Sequence, residues 1–232
     1  MDKIKIFITA LLLAITGSPA QVYLPSDGLK QGDTLLIKID SPISEGKITG
    51  EFNFKKIYFS QATEKSKAAF LGIDAKEKTG KHILILNYPW GKTIKKEISI
   101  AKTEFSTTEL LVTKALQKKG YAPEKIIKNI QSKEGPLLAK ILNIYTPEAY
   151  FNKAFINPLK DIKIIGAFGI VKKTGSSTIQ HLGIDLEAKI GTKVFASNDG
   201  KVSFSEELPD YGKTIIIDHG FGIYSLYLHL DK

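Results

Sequence analysis

The sequence contains no cysteine and no arginine. Without cysteine there is no disulfide and no cysteine-linked lipid, so the fold must hold by its core alone, and any metal site is limited to His, Asp and Glu. Without arginine, the net charge of +9 rests on lysine alone. Bidentate reading of guanine and phosphate prefers arginine, so its absence argues against a nucleic-acid partner. A basic chain is still drawn to anionic polymers, those of cell walls among them; the competing explanation is a compositional bias with no partner. A single tryptophan forces no aromatic cage. Histidine is scarce as well, at His82, His181, His219 and His229, and these four bound any imidazole chemistry.

What is present is an ordinary globular balance: 232 residues, 43% apolar and 25% charged, enough for one large or two small domains. Residues 1–20 read as a signal peptide. Lys3 and Lys5 form a short basic start, residues 6–15 an apolar run, and Ser18-Pro19-Ala20 a small-residue cleavage site before Gln21. An uncleaved anchor is the alternative, although the run is nearer signal-peptide than membrane-spanning length. Export to the periplasm, cell envelope or extracellular space is therefore expected.

Residues 21–102 look all-β. Candidate strands at 33–40, 46–54, 56–60, 67–73, 82–88 and 93–101 recur about every ten residues between turn segments, which predicts an immunoglobulin-like sandwich. His82 opens one of these strands and is read as structural. Residues 103–150 read as a helical connector between two β domains, with packing onto one of them as the alternative. Ser106 and Glu109 have capping-box spacing. Leu110, Leu111, Ala115 and Leu116 supply an apolar stripe that stops at Gly120. Pro123 starts a second helix carrying Ile126, Ile127 and Ile130. Gly135-Pro136 interrupts it, and residues 137–144 form a third piece.

The chemistry concentrates in residues 151–232. Read as a strand, residues 180–187 alternate: His181, Gly183, Asp185 and Glu187 face one way, and Leu182, Ile184 and Leu186 face a core. Zinc accepts a neutral imidazole nitrogen and a carboxylate oxygen. Four residues of straight strand span about 13 Å, so the backbone must bend for His181 and Asp185 to meet, and Gly183 permits a bend. A helix would bring positions four apart closer, but the period of two opposes it. Residues 191–196 and 198–202 read as strand, turn, strand. Residues 214–218 and 223–230 read as a hairpin across His219-Gly220-Phe221-Gly222, with Ser225, Tyr227 and His229 on one face.

In order, Ala167-Phe168-Gly169, His181-Leu182-Gly183-Ile184-Asp185-Leu186, Gly191-Thr192, Ala196, Asp199-Gly200-Lys201-Val202, Tyr211-Gly212, Ile217-Asp218-His219-Gly220 and Tyr227-Leu228-His229-Leu230 resemble the lysostaphin/LytM-type peptidoglycan metalloendopeptidases. The resemblance implies that His181 and Asp185 are zinc ligands, that His229 is a catalytic histidine near the metal-bound water, and that His219 is structural. It implies a C-terminal antiparallel β-sheet catalytic domain with Zn2+ as cofactor and peptidoglycan as partner. The family's third ligand lies in a His-x-His pair on a later strand, which this sequence lacks. The expectation is thus a domain incomplete at its C-terminus, with little or no hydrolase activity in this chain. Two other functions stay open: a non-catalytic relative that binds the wall or activates another hydrolase, and an adhesin working through residues 21–102.

Overall fold

The computed structural model describes residues 20–23, 28–40, 46–110, 114, 118 and 122–232. The segment read as a signal peptide lies outside them apart from Ala20, as do Leu111, Ala115, Leu116 and Gly120. Among the described residues no helix is long and apolar enough to cross a membrane. The chain is mainly β and divides into two compact units, Met1–Thr103 and Glu104–Lys232.

Among its described residues the first unit holds nine strands: β1 (Ala20–Tyr23), β2 (Leu29–Lys30), β3 (Thr34–Asp40), β4 (Thr49–Phe52), β5 (Lys55–Tyr58), β6 (Ser60–Thr63), β7 (Ser66–Gly72), β8 (Gly80–Asn87) and β9 (Thr93–Ala101). They form a four-stranded sheet, β1-β3-β7-β6, and a five-stranded sheet, β2-β9-β8-β4-β5. The β2–β9 pair is parallel, and the other pairs among these described strands are antiparallel. Alternation decides which face is buried. Leu35, Ile37 and Ile39 of β3 meet Leu84 and Leu86 of β8 and Ile98 and Ile100 of β9 in one shared core. Each such side chain contributes about 1.5–3 kcal/mol on leaving water, which is how a unit without disulfides is held.

The second unit opens on a strand, β10 (Thr107–Glu109), where a helix cap was expected. It pairs in parallel with β12 (Val171–Thr174). The Ser106 carbonyl accepts the Val171 amide at 2.9 Å, and the Lys173 carbonyl accepts the Leu110 amide at 2.7 Å. β-branched Thr107 and Thr108 suit a ladder better than a first helical turn, and here a partner strand supplies the bonds. Helix α1 (Pro123–Asn129) starts on Pro123 as expected and buries Ile127. Gly135-Pro136 does not end the helical run. A wide turn, Ile130–Glu134, joins α1 to α2 (Gly135–Leu142), and the Gly135 amide bonds the Ile130 carbonyl five residues back. A Cβ on Gly135 would lie 2.8 Å from that oxygen. The wider turn accommodates a proline whose ring would otherwise meet the carbonyl four residues earlier. Leu138 of α2 packs with Leu208 and Ile216, so α2 forms part of this unit's own core.

The sheets of the second unit are small. β12 pairs with β13 (Ser177–Gln180), and β11 (Ile164–Gly166) pairs with β14 (Asp185–Leu186). β15 (Lys201–Leu208), β16 (Gly212–Gly220) and β17 (Ile223–Leu230) make an antiparallel meander. The β16–β17 hairpin turns at Phe221-Gly222, both with positive φ, near the expected place. Two expectations fail. Residues 181–184 are not strand, with Leu182 69% and Ile184 56% exposed, and residues 191–196 are irregular. The alternation of residues 181–184 is that of a covered strand, but their apolar side chains stay exposed.

Candidate metal centre

His181 and Asp185 converge, His181 Nε2 lying 3.1 Å from Asp185 Oδ1. One short segment, residues 166–170, holds both. Gly166 pairs with Asp185 in the β11–β14 ladder. The Ile170 carbonyl accepts the His181 amide at 2.8 Å, and the His181 carbonyl accepts the Gly169 amide at 2.7 Å. The bend between the two residues comes from the break between β13 and β14. Gly183 does not supply it through a left-handed φ, since it is absent from the positive-φ residues, and a Cβ there would sit 3.8 Å from His181 Nε2, an ordinary contact.

The ring of His181 is oriented from behind. Its Nδ1 lies 3.0 Å from the Ala167 carbonyl oxygen, which can only accept, so Nδ1 carries the proton and Nε2 is the nitrogen aimed at Asp185. In that tautomer Nε2 turns its lone pair toward the carboxylate, so that two donors of the kind zinc accepts face one another. A backbone carbonyl that fixes the tautomer of a ligating histidine is a common outer-shell device. Lys172 Nζ stands 3.6 Å from the other carboxylate oxygen, Oδ2. The donor set fits zinc as two ligands of a site. Among the described residues no group of three or more His, Cys, Asp or Glu is gathered at one point.

His229 lies on β17 and makes no hydrogen bond or ion pair to His181 or Asp185. Its amide bonds the Tyr211 carbonyl at 2.9 Å. The register slips between Lys213 and Ile215, so that Leu228 and His229 together face Thr214, and His229 has φ +55°. This bulge ends the alternation that was to put Ser225, Tyr227 and His229 on one face. Ser225 and Tyr227 do stay together, their hydroxyls 3.0 Å apart. His219 is fully buried. Its Nδ1 donates to the Asp199 carbonyl at 2.7 Å, and its Nε2 lies 2.8 Å from Ser225 Oγ, bonds that tie two strands and a loop. His82 is likewise engaged, with Asn53 Oδ1 at 3.0 Å and the Lys78 carbonyl at 2.6 Å.

A depression of about 390 Å³ is lined by Glu124, Lys125, Ile127, Lys128, Gln131 and Ser177, none of them a candidate residue. Sequence reasoning missed the Ala167 carbonyl, Lys172 and Gly166. A backbone acceptor leaves no signature in sequence, and Lys172 is one lysine among many.

Residues 179–232 match peptidase family M23. The match lies in the C-terminal part of the second unit. Over 77 residues the chain is 38% identical to the DD-carboxypeptidase/endopeptidase Mpg of Neisseria meningitidis serogroup B and to that of Neisseria gonorrhoeae. The aligned stretch is 33% of this chain and 18% of each relative, so the chain spans a minor part of their length. A crystal structure of a Pseudomonas aeruginosa protein described as a peptidase M23 superposes with a TM-score of 0.57 at 19% identity, covering 88% of this chain and 74% of that one. At that identity the likeness is one of fold. The matched segment contains His181, Asp185 and His229.

Proposed function

We propose that the second unit is the metal-binding part of an exported zinc endopeptidase that cuts peptide cross-links in peptidoglycan. The observation that carries this is the convergence of His181 Nε2 and Asp185 Oδ1 at 3.1 Å, with His181 Nδ1 anchored on Ala167, inside a segment that matches peptidase family M23. The name of the Neisseria relatives states carboxypeptidase and endopeptidase activity, in keeping with this reading.

His181 and Asp185 would hold the ion, and the chemistry zinc supplies in such a site is activation of water and polarisation of the scissile carbonyl. The Ala167 carbonyl keeps His181 in the tautomer whose Nε2 is free to ligate. Gly166 lets the Asp185 carboxylate lie against the β11 backbone. His229 would donate a hydrogen bond to the developing oxyanion or take up a proton from the attacking water. Two protein ligands hold zinc weakly, because ligand count and geometry set affinity.

Competition titration of the chain with a chromophoric zinc chelator tests the proposal. One weakly held zinc is expected, lost in His181→Ala and in Asp185→Asn. Unchanged zinc binding by His181→Ala would remove the basis of the reading.

A further inference from the structure

Glu134 is a carboxylate with 3% exposure, lodged in the wide turn between α1 and α2. A charge so buried persists only where hydrogen bonds replace its water. Oε1 accepts from Asn129 Nδ2 at 2.8 Å and from the Asp210 amide at 3.0 Å, and Oε2 accepts from the Tyr211 amide at 3.1 Å. Asp210 and Tyr211 form the turn between β15 and β16. The other side of the Tyr211 residue, its carbonyl, accepts the His229 amide. The turn also lies beside that residue, since a Cβ on Gly212 would stand at ordinary contact distance, 3.4 Å from His229 Cα and 3.6 Å from its Nδ1. His229 is a side-chain-bearing residue at φ +55°, in the bulge of β17. Such a conformation is kept only where the surroundings enforce it. The extra residue in the wide turn belongs to the same arrangement, since Glu134 is the member of that turn buried against Asp210 and Tyr211.

We infer that Glu134 is a positioning residue for His229, acting through the Tyr211 backbone to hold the bulge in its left-handed setting. The functional weight of this rests on the reading of His229 as catalytic; the hydrogen-bonded path does not. Glu134 touches no reacting group and has no part in holding the metal. Its effect is to decide where the His229 ring stands.

Amide hydrogen exchange and histidine-ring NMR on the 232-residue chain test it, four histidines giving four resolvable rings. In the parent chain the amides of Asp210, Tyr211 and His229 are expected to be protected and to exchange at a common rate. Glu134→Gln keeps the volume but exchanges one of the two accepting oxygens for a carboxamide NH2 that meets a donor. It is expected to speed exchange at those three amides by about tenfold or more and to move the His229 ring signals. The Ile217 amide and the rings of His82, His181 and His219 should stay as they were. Acceleration at Ile217 equal to that at His229 would make Glu134 a general support and overturn the inference, as would an unmoved His229. Should Glu134→Gln not fold, the parent decides: unprotected exchange at Asp210 and Tyr211 overturns the inference, and a common protected rate with His229 supports it. The zinc titration on the same samples reads His181 and Asp185, so failure of the metal reading and failure of the positioning role are told apart.

Discussion

At Gly166 a hydrogen atom stands where a methyl group would lie 2.2 Å from Asp185 Oδ2. Gly166→Ala must therefore displace the carboxylate while leaving His181 on Ala167. Zinc affinity is expected to fall about 10–100-fold, the usual cost of disturbing the support of a ligand, with the thermal midpoint little changed; titration beside a melting curve reads both. His219 predicts the reverse. His219→Phe keeps the ring's bulk but strands the Asp199 carbonyl and leaves the Ser225 hydroxyl with Tyr227 alone, at about 1–3 kcal/mol of stability in denaturant unfolding, with zinc binding retained wherever the chain is folded. Tyr211 sets a pH limit. Burial first, then the carboxylates of Glu134 and Asp210, push its phenol above the ordinary tyrosine range. The folded chain thus holds this proton more tightly than the unfolded chain, whose tyrosines titrate near about 10. The stabilisation is complete below that pH and fades as pH rises through the higher folded value. Tyr211→Phe is expected to move the alkaline unfolding midpoint upward, and an unmoved midpoint would count against this assignment.

Among the elements, α2 is tied to the meander by Leu138, whose truncation to alanine should cost about 2–5 kcal/mol in the second unit. The strands of the first unit were readable because both sheets bury one face: β9 has the bounds its alternation suggested, and β3 begins within a residue of them. β6 was missed because Ser60-Gln61-Ala62-Thr63 carries no apolar period and is an edge strand defined by its bonds to β7. The helical end of the connector was legible from Pro123 and the isoleucines after it. Its start was not, since a Ser-x-x-Glu spacing looks the same whether the next residues coil or pair with β12. At the site, residue types and the family resemblance pointed to His181 and Asp185, and the structure brings them together. They did not reveal how the chain bends, because the break between β13 and β14 is made by bonds to residues 166–170, distant in sequence. Nor could a period of two disclose the bulge at His229, where one extra residue changes the phase.

Over the whole molecule, cationic charge is spread on lysine side chains with no guanidinium among them. Such point charges bind anionic polymers by proximity and are screened within about 10 Å at 0.1 M salt. Retention on an anionic cell-wall polymer should thus weaken steeply with added salt, and salt-insensitive retention would signal recognition of another kind. The left-handed geometry of His229 has its own outcome for the chain under selection. A residue with no side chain sits there without steric penalty, so His229→Gly should gain roughly 1 kcal/mol on the imidazole it replaces. Breeding this protein for heat resistance alone would drift toward that swap, yielding hardier molecules stripped of the ring, and survival in a hot screen would then be a poor guide to which descendants can still work.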